Sequence, residues 1–269
     1  MSPTNAVTHP GSTTATNPNI RVIRADERQV WPGGDVRSHQ SFPATGSFKL
    51  EDNAFGLLLL HNDDTVSPGG AGFDMHQHDN LEIVTWIADG ALRHRDSQGG
   101  ESIIRPGQAQ AISAGSGVRH TEVNAARFTQ REHLRVIQMW IMPDTADTPP
   151  RHSTADFTEA LSSGQWVTIA TGAEVPASQL AASQSPATAP LPIGNSDATL
   201  LAARPTTDDE LNVPNGAFVH LFVVSGQIRQ ADAGELNAGD VLRMTDAGEQ
   251  TITATDDAEI LAWIMKRGI

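Results

Sequence analysis

The chain contains no cysteine. That absence excludes disulfides, thiolate metal ligands and a cysteine nucleophile, so any metal must be held by histidine and carboxylate. Basic side chains are scarce too: 18 Lys and Arg stand against 32 Asp and Glu, a formal charge of −14 at pH 7. With no basic patch to override it, this charge repels phosphate backbones and argues against direct nucleic-acid binding. No apolar run approaches the roughly 18 to 20 residues needed to cross a bilayer, so no membrane span is expected. The first 19 residues, MSPTNAVTHPGSTTATNPN, lack a basic start and an apolar stretch, and residues 1–19 therefore read as a disordered tail without a secretory signal. A soluble protein is expected, and the cysteine-free composition is compatible with a reducing cytoplasm.

What is present points to strands. A length of 269 residues favours two domains over one large core. Gly 23 and Pro 16 imply many turns, and the apolar runs are short and rich in Val, Ile and Leu. FGLLLLHNDD, LEIVTWIADG, IIRPGQAQAISAG and LRVIQMWIMP are each of strand length and punctuated by Gly, Pro, Asn or Asp, which predicts a β-barrel or sandwich. After PDTADTPPRH one strand pair is expected around QWVTIATG, and ASQLAASQSPATAPLPIGNSD reads as a surface loop. Toward the end, VVSGQIRQADAGELNAGDVLRMTDAGEQTIT repeats the punctuation of WIADGALRHRDSQGGESIIRPGQAQAISAGSGVRHTE, with Gly90 matching Gly226 and Gly107 matching Gly239. A duplicated β-unit follows: an all-β chain of two tandem barrels, residues 20–150 and 151–269.

The chemistry concentrates in GFDMHQHDNLEIVTW and GSGVRHTEVN. On a strand, residues i and i+2 share a face, so His76 and His78 converge if that face lines a barrel interior. Alone, such a pair is more often a solvated turn than a ligand pair. His120 and Glu122 repeat the spacing after a Gly-rich turn, and together the pairs can supply three imidazoles and one carboxylate. That donor set suits a divalent first-row ion and leaves positions open for substrate or O2.

GAGFDMHQHDNLEIVTWIADGALRHRDSQG followed by IRPGQAQAISAGSGVRHTEVN resembles the two signature segments of the pirin family, bicupins of the cupin superfamily. It is particularly similar to bacterial members described as quercetin 2,3-dioxygenases. The resemblance covers residues 20–150 strongly, including LRVIQMWIMP, and the C-terminal repeat more loosely. It implies two jelly-roll cupin barrels and metal ligation by His76, His78, His120 and Glu122. The implied ion is iron, Fe(2+), with Mn, Co, Ni, Cu or Zn as alternatives. The implied reaction cleaves a flavonol such as quercetin with O2 and releases CO, Glu122 acting as the catalytic base. The family's usual Pro and Arg beside the first pair are Gln77 and Asp79 here. A second reading is non-enzymatic: a metal- or redox-sensing binding protein that docks a transcription factor or enzyme. Pseudo-symmetry carried within one chain favours a monomer.

The remaining histidines have plainer readings. Glu82 is either an inward partner of the ligands or the cap of a strand turn. His94 belongs to a polar hairpin tip organised by Asp96 and Ser97. His61 and His133 sit at strand ends, His9, His39 and His152 in tail or loop, and Trp86 and Trp140 in the core. Aligning the repeats on Gly90/Gly226 and Gly117/Gly248 sets Asn212 and Pro214 against the first histidine pair, and Thr251 and Thr253 against His120 and Glu122. The C-terminal barrel, with only His220 nearby, is therefore expected to hold no metal.

Overall fold

A computed structural model describes residues 17–42, 50–173 and 189–269. The proposed tail, apart from its last residues, and most of the Ala/Ser/Pro-rich segment lie outside the described residues. The architecture is the expected all-β pair of barrels, each built from one seven-stranded and one four-stranded sheet. In the N-terminal barrel the large sheet runs Arg151–Asp156, Gln108–Ser113, Glu82–Asp89, Leu134–Ile141, Leu58–Val66, Val36–Gln40 and Gln29–Gly33. Its small sheet runs Gly72–His78, Val118–Asn124, Leu92–Asp96 and Glu101–Ile104. In the C-terminal barrel the large sheet runs Ile20–Ile23, Val241–Thr245, Phe218–Ser225, Glu259–Met265, Ala198–Ala203, Val167–Thr171 and Leu191–Pro192. The small sheet there runs Glu210–Val213, Gln250–Ala254, Gln227–Gln230 and Gly234–Asn237.

The two barrels repeat one strand order, as the glycine punctuation predicts. Gly90 and Gly226 follow equivalent strands with φ of 77° and 73°, and in both cases a Cβ would collide with a neighbouring backbone carbonyl. The sheets cut across the expected boundaries at 20 and 150, however. Ile20–Ile23 pairs with Val241–Thr245 and so joins the C-terminal sheet, while Arg151–Asp156 pairs with Gln108–Ser113 and joins the N-terminal one.

The two large sheets pack face to face. Val84, Trp86, Ile137 and Met139 from one barrel and Leu200, Phe222, Leu261 and Trp263 from the other share one apolar layer. Strands of these sheets are therefore buried on both faces, which explains why LEIVTW and LRVIQMWI read as almost continuous apolar runs. Alternation still operates: in Leu134–Ile141, Ile137, Met139 and Ile141 enter the layer between barrels, while Leu134 and Val136 line the barrel's own interior.

Polar anchors cross the same layer. The Trp86 indole donates to Glu259 Oε1 at 2.6 Å, and Glu259 Oε2 also accepts from Arg204 at 2.7 Å. Arg135 grips Asp63 with two bonds of 2.9 and 2.8 Å and donates to the Val224 carbonyl of the other barrel at 2.8 Å. His61 is fully buried in the middle of its strand rather than at a strand end, and its ring lies 4.8 Å from that of His220 across the junction. Both rings are held neutral. Burial, then the Arg28 charge, pushes His61 from 6.5 down to about 3; burial, then His61 itself, keeps His220 well below its ordinary value.

These depressed values bind stability to pH. The unfolded histidines protonate near 6.5 and the folded ones do not, so their contribution is complete above pH 6.5 and is lost progressively as pH falls from 6.5 toward 3. At pH 5.5 each buried histidine should cost about 1 kcal/mol relative to neutral pH. Urea unfolding measured between pH 7.5 and 4.5 should show this slope, and a His61→Gln/His220→Gln double variant should flatten it. An unchanged slope in that variant would place the acid sensitivity elsewhere.

Candidate metal centre

Strand Gly72–His78 lies at the edge of the small sheet and pairs with Val118–Asn124, setting His76 directly opposite His120. Between His120 and Glu122 the register shifts, so that Glu122 faces Phe73. The extra residue on the edge strand is a bulge that leaves both Asp74 and Met75 exposed and re-aims the following side chains inward. It also presents the Asp74 carbonyl to His76, whose Nδ1–H donates to it at 2.7 Å. That bond fixes the tautomer and leaves Nε2 with its lone pair free.

The three histidines of the two paired motifs converge. Their ring centroids are 4.3 Å (His76–His120), 4.8 Å (His76–His78) and 5.1 Å (His78–His120) apart. One nitrogen from each lies within 4.8 Å of the others. His120 is fully buried with neither ring nitrogen hydrogen-bonded, and buried Nε2 of His78 has no partner either. Unpaired buried nitrogens cost free energy unless something binds them. Burial, followed by the neighbouring His76, lowers His78 to about 4 and His120 to about 3, so both rings are neutral near pH 7 and present lone pairs. An electrophile of ionic size fits this donor set.

Glu122 sits deeper. Its carboxylate shares the 4.8 Å spacing with His120 and with His94, whereas the three-histidine group is completed by His76 and His78. His120 thus belongs to both groups. The Gln110 amide donates to Glu122 Oε1 and the Gln138 amide to Oε2, the latter at 2.6 Å. Burial raises the carboxyl to about 7 against the pull of Gln138 and Gln110.

The surroundings contain residues that the plainer sequence readings placed elsewhere. Asp96 does organise the hairpin tip, accepting from the Gln98 and Gly100 amides at 2.8 and 2.9 Å. His94, two residues earlier on the same face, is fully buried rather than at the tip, bonds Asp96 at 3.1 Å and stacks on His152 at 4.2 Å. His152 lies on the strand Arg151–Asp156, not in a loop, and meets Gln110 Oε1 at 3.1 Å. Trp140 is only half-buried; it stands edge-on to His78 at 4.9 Å and donates to Gln138 at 3.1 Å. Trp86 is core, as expected. His133 is exposed and His9 lies outside the described residues.

Glu82 points away from the histidines. It shares the face of Val84 and Trp86, accepts from Ser113 at 2.7 Å, and lies against Gly194 of the other barrel. Strand parity does not carry through a turn, and Asn80, at φ 48°, turns the chain between His78 and Glu82. Gln110 and Gln138 have no role in the sequence reading; each is a buried amide flanked on both sides by apolar residues, AQAI and VIQMWI, and that interruption is the signal that marks them.

The C-terminal barrel repeats the pairing with different contents. Asn212 pairs with Thr251 as His76 pairs with His120, but both side chains are exposed. The buried positions are Leu211, Val213, Ile252 and Ala254, one residue out of step with the expected alignment, and the first three belong to a continuous apolar core. His220 faces the junction between barrels, beside His61.

A family model described as Pirin matches residues 26–141, and one described as the quercetinase C-terminal cupin domain matches residues 180–263. A Mycobacterium tuberculosis protein provisionally named a quercetin 2,3-dioxygenase is 36% identical over 246 residues, 91% of this chain and 95% of its own. The chain belongs to the pirin family. A pirin-like protein of Caulobacter vibrioides is 30% identical over 85% of this chain and 91% of its own. The quercetin 2,3-dioxygenase of Escherichia coli K12 is 34% identical over 51% of this chain and 58% of its own. Among solved structures, the Escherichia coli bacterial pirin YhhW in complex with nickel(II) superposes with a TM-score of 0.78 at 24% identity, covering 93% of this pirin and 100% of that chain. That likeness concerns the fold.

Within this pirin, the two amides that hold Glu122 should matter most when the carboxylate is ionised. Without added metal, Gln138→Leu should cost about 1–3 kcal/mol of stability at pH 8. The cost should shrink at pH 5, where Glu122, raised to about 7, is protonated. Denaturant titrations at the two pH values measure the difference; equal losses would mean that Gln138 acts through packing alone.

Proposed function

We propose that this pirin is a metal-dependent dioxygenase that cleaves a flavonol such as quercetin with O2, using one divalent ion in the N-terminal barrel. The observation that carries the reading is the convergence of His76, His78 and His120, the last two with buried unpartnered nitrogens, with the buried carboxylate of Glu122 next to His120. His76, His78, His120 and Glu122 would hold the ion. Iron(II) is our first choice, and the nickel(II) in YhhW belongs to that protein. When bound, the ion supplies Lewis acidity toward the hydroxyl and carbonyl of the enol and a site for O2 chemistry.

The chain's own residues supply the proton handling. In the metal-free chain burial raises Glu122 to about 7, and we assign this buried carboxylate the role of taking the substrate's hydroxyl proton. Gln110 and Gln138 fix its two oxygens from opposite sides, so the proton acceptor is already oriented. Trp140 walls the His78 side with an apolar edge on which a flat aromatic ring can lie. The apolar C-terminal barrel offers no such donor set at Leu211, Val213, Ile252 and Ala254, and we assign it a structural role.

Elemental analysis of the purified protein should give about one divalent ion per chain, and O2 uptake with CO release should follow quercetin addition. His76→Ala should lower metal content and activity together. Glu122→Gln, which retains three imidazoles and a weakly coordinating amide, should keep part of the metal and lose about 10²- to 10⁴-fold in rate. Near-normal turnover by Glu122→Gln would overturn the base assignment. A metal-loaded protein that consumes no O2 with any flavonol, yet captures a transcription factor or enzyme, would replace this reading with the binding-protein one.

A further inference from the structure

A second polar site lies outside the histidine cluster, where the barrels meet. There a cleft of about 370 Å³ is lined by Arg21, Arg28, Gln29, Ser41, Phe42 and Arg243, among others. Arg21 and Arg243 are direct cross-strand partners on the C-terminal large sheet. Like charges placed directly opposite one another are destabilising. Among the described residues no carboxylate lies within 4.0 Å of either guanidinium, in a chain whose net charge is −14. The pair therefore has no direct carboxylate partner among the described residues.

The cleft is also built rather than incidental. Arg243 is held by the Ser41 carbonyl at 3.2 Å and lies over the rings of Phe42 and Phe55 at 4.3 and 4.9 Å. Its buried Nε has no partner. Arg28, only 4% exposed, donates to the Gly239 and His39 carbonyls, and its Nε is likewise buried without a partner. Asp63 lies 3.7 Å from Arg28 but is already gripped by two bonds from Arg135. Glu27 is the acidic residue of the cleft, and its carboxylate is engaged by the Arg24 backbone N–H at 2.8 Å. Among the residues lining the cleft, three guanidinium groups thus outnumber one carboxylate.

We propose that this cleft is a binding site for a small organic anion, a carboxylate or phosphate ester. Its charged head lies between Arg21 and Arg243, at the mouth of the cleft where Arg21 is exposed. Guanidinium forks match both oxyanion types, and charge-assisted bonds to them are the strong class of hydrogen bond. Burial and the nearby Arg21 charge lower Arg243 to about 10, which leaves it cationic at neutral pH and is the shift expected of a guanidinium whose counter-ion comes from outside. The site joins four pieces of chain: the segment 21–29, the corner at residues 40–42, Asn53, and Arg243 on the strand Val241–Thr245.

The test is calorimetric titration of the full chain with benzoate, phenyl phosphate and inorganic phosphate, against sodium chloride at matched ionic strength. At least one of the three anions should bind saturably with a Kd below about 1 mM, and chloride at the same ionic strength should not. Which organic anion binds tighter separates carboxylate from phosphate as the preferred head. Arg21→Gln, an exposed position that need not disturb folding, should weaken binding about tenfold or more, while Arg105→Gln, at a distant exposed turn, should leave it unchanged. Arg243→Gln should abolish binding if the variant folds. Heats that follow ionic strength alone, or equal binding by Arg21→Gln and the parent, would overturn the proposal. Neither outcome bears on quercetin turnover at the histidine cluster.

Discussion

The apolar layer between the two large sheets is the constraint from which the rest of the structure follows. Because Trp86, Met139, Phe222 and Trp263 fill that layer, the middle of each central strand is apolar on its junction face. The polar groups that do enter the layer are paired, as Arg135 is with Asp63 and Glu259 with Trp86, or held uncharged, as His61 and His220 are. Polar groups that remain free to take a ligand are placed on the opposite parity, inside the barrel. Thr85, Gln110 and Gln138 take those inward positions in the N-terminal barrel, whereas Val219, Leu221 and Leu242 take them in its partner. One scaffold thus carries a polar chamber in one copy and a dry core in the other.

The polar chamber is tolerable because its ends are sealed. Val36, Val66, Ile87, Leu92 and Leu134 close one end, and Ile83, Ile112 and Val118 the other. Between them Glu122 is surrounded by amides and imidazoles that are in turn hydrogen-bonded to Trp140, His152 and Asp96. In that low-dielectric space each retained hydrogen bond counts for more than it would in water, and each unpaired nitrogen costs more. The histidines left unpaired, His78 and His120, are those whose spacing already marks them as ligands.

The sequence exposes those features that are local and hides those that are relational. Short Val/Ile/Leu runs, turn glycines such as Gly90 and Gly226, and the two paired motifs were all legible, because each depends on neighbours a few residues away. Long-range pairing was not. His94 looked like part of a solvated tip because its neighbours Asp96 and Ser97 shape a turn, and nothing within the hairpin says that the ring points inward. His152 was assigned to a loop because the strand it joins is completed by Gln108–Ser113, forty residues earlier in the chain. Asn212 and Thr251 were matched to ligands because the glycine-based alignment preserves their mutual pairing yet cannot sense which way the pleat faces.

The exchange of edge strands has a consequence for how the molecule is made. Ile20 pairs with Met244, so the segment Ile20–Ile23 can take its place only after the strand Val241–Thr245, more than two hundred residues later, has been translated. Until then Val241–Thr245 has no outer neighbour, and the segment carrying Arg21 has no sheet to join. The N-terminal barrel, by contrast, closes once Arg151–Asp156 has emerged. Synthesis therefore delivers the strands of the histidine-lined chamber before the strand that receives Ile20–Ile23, and that last pairing closes a long loop against its entropy.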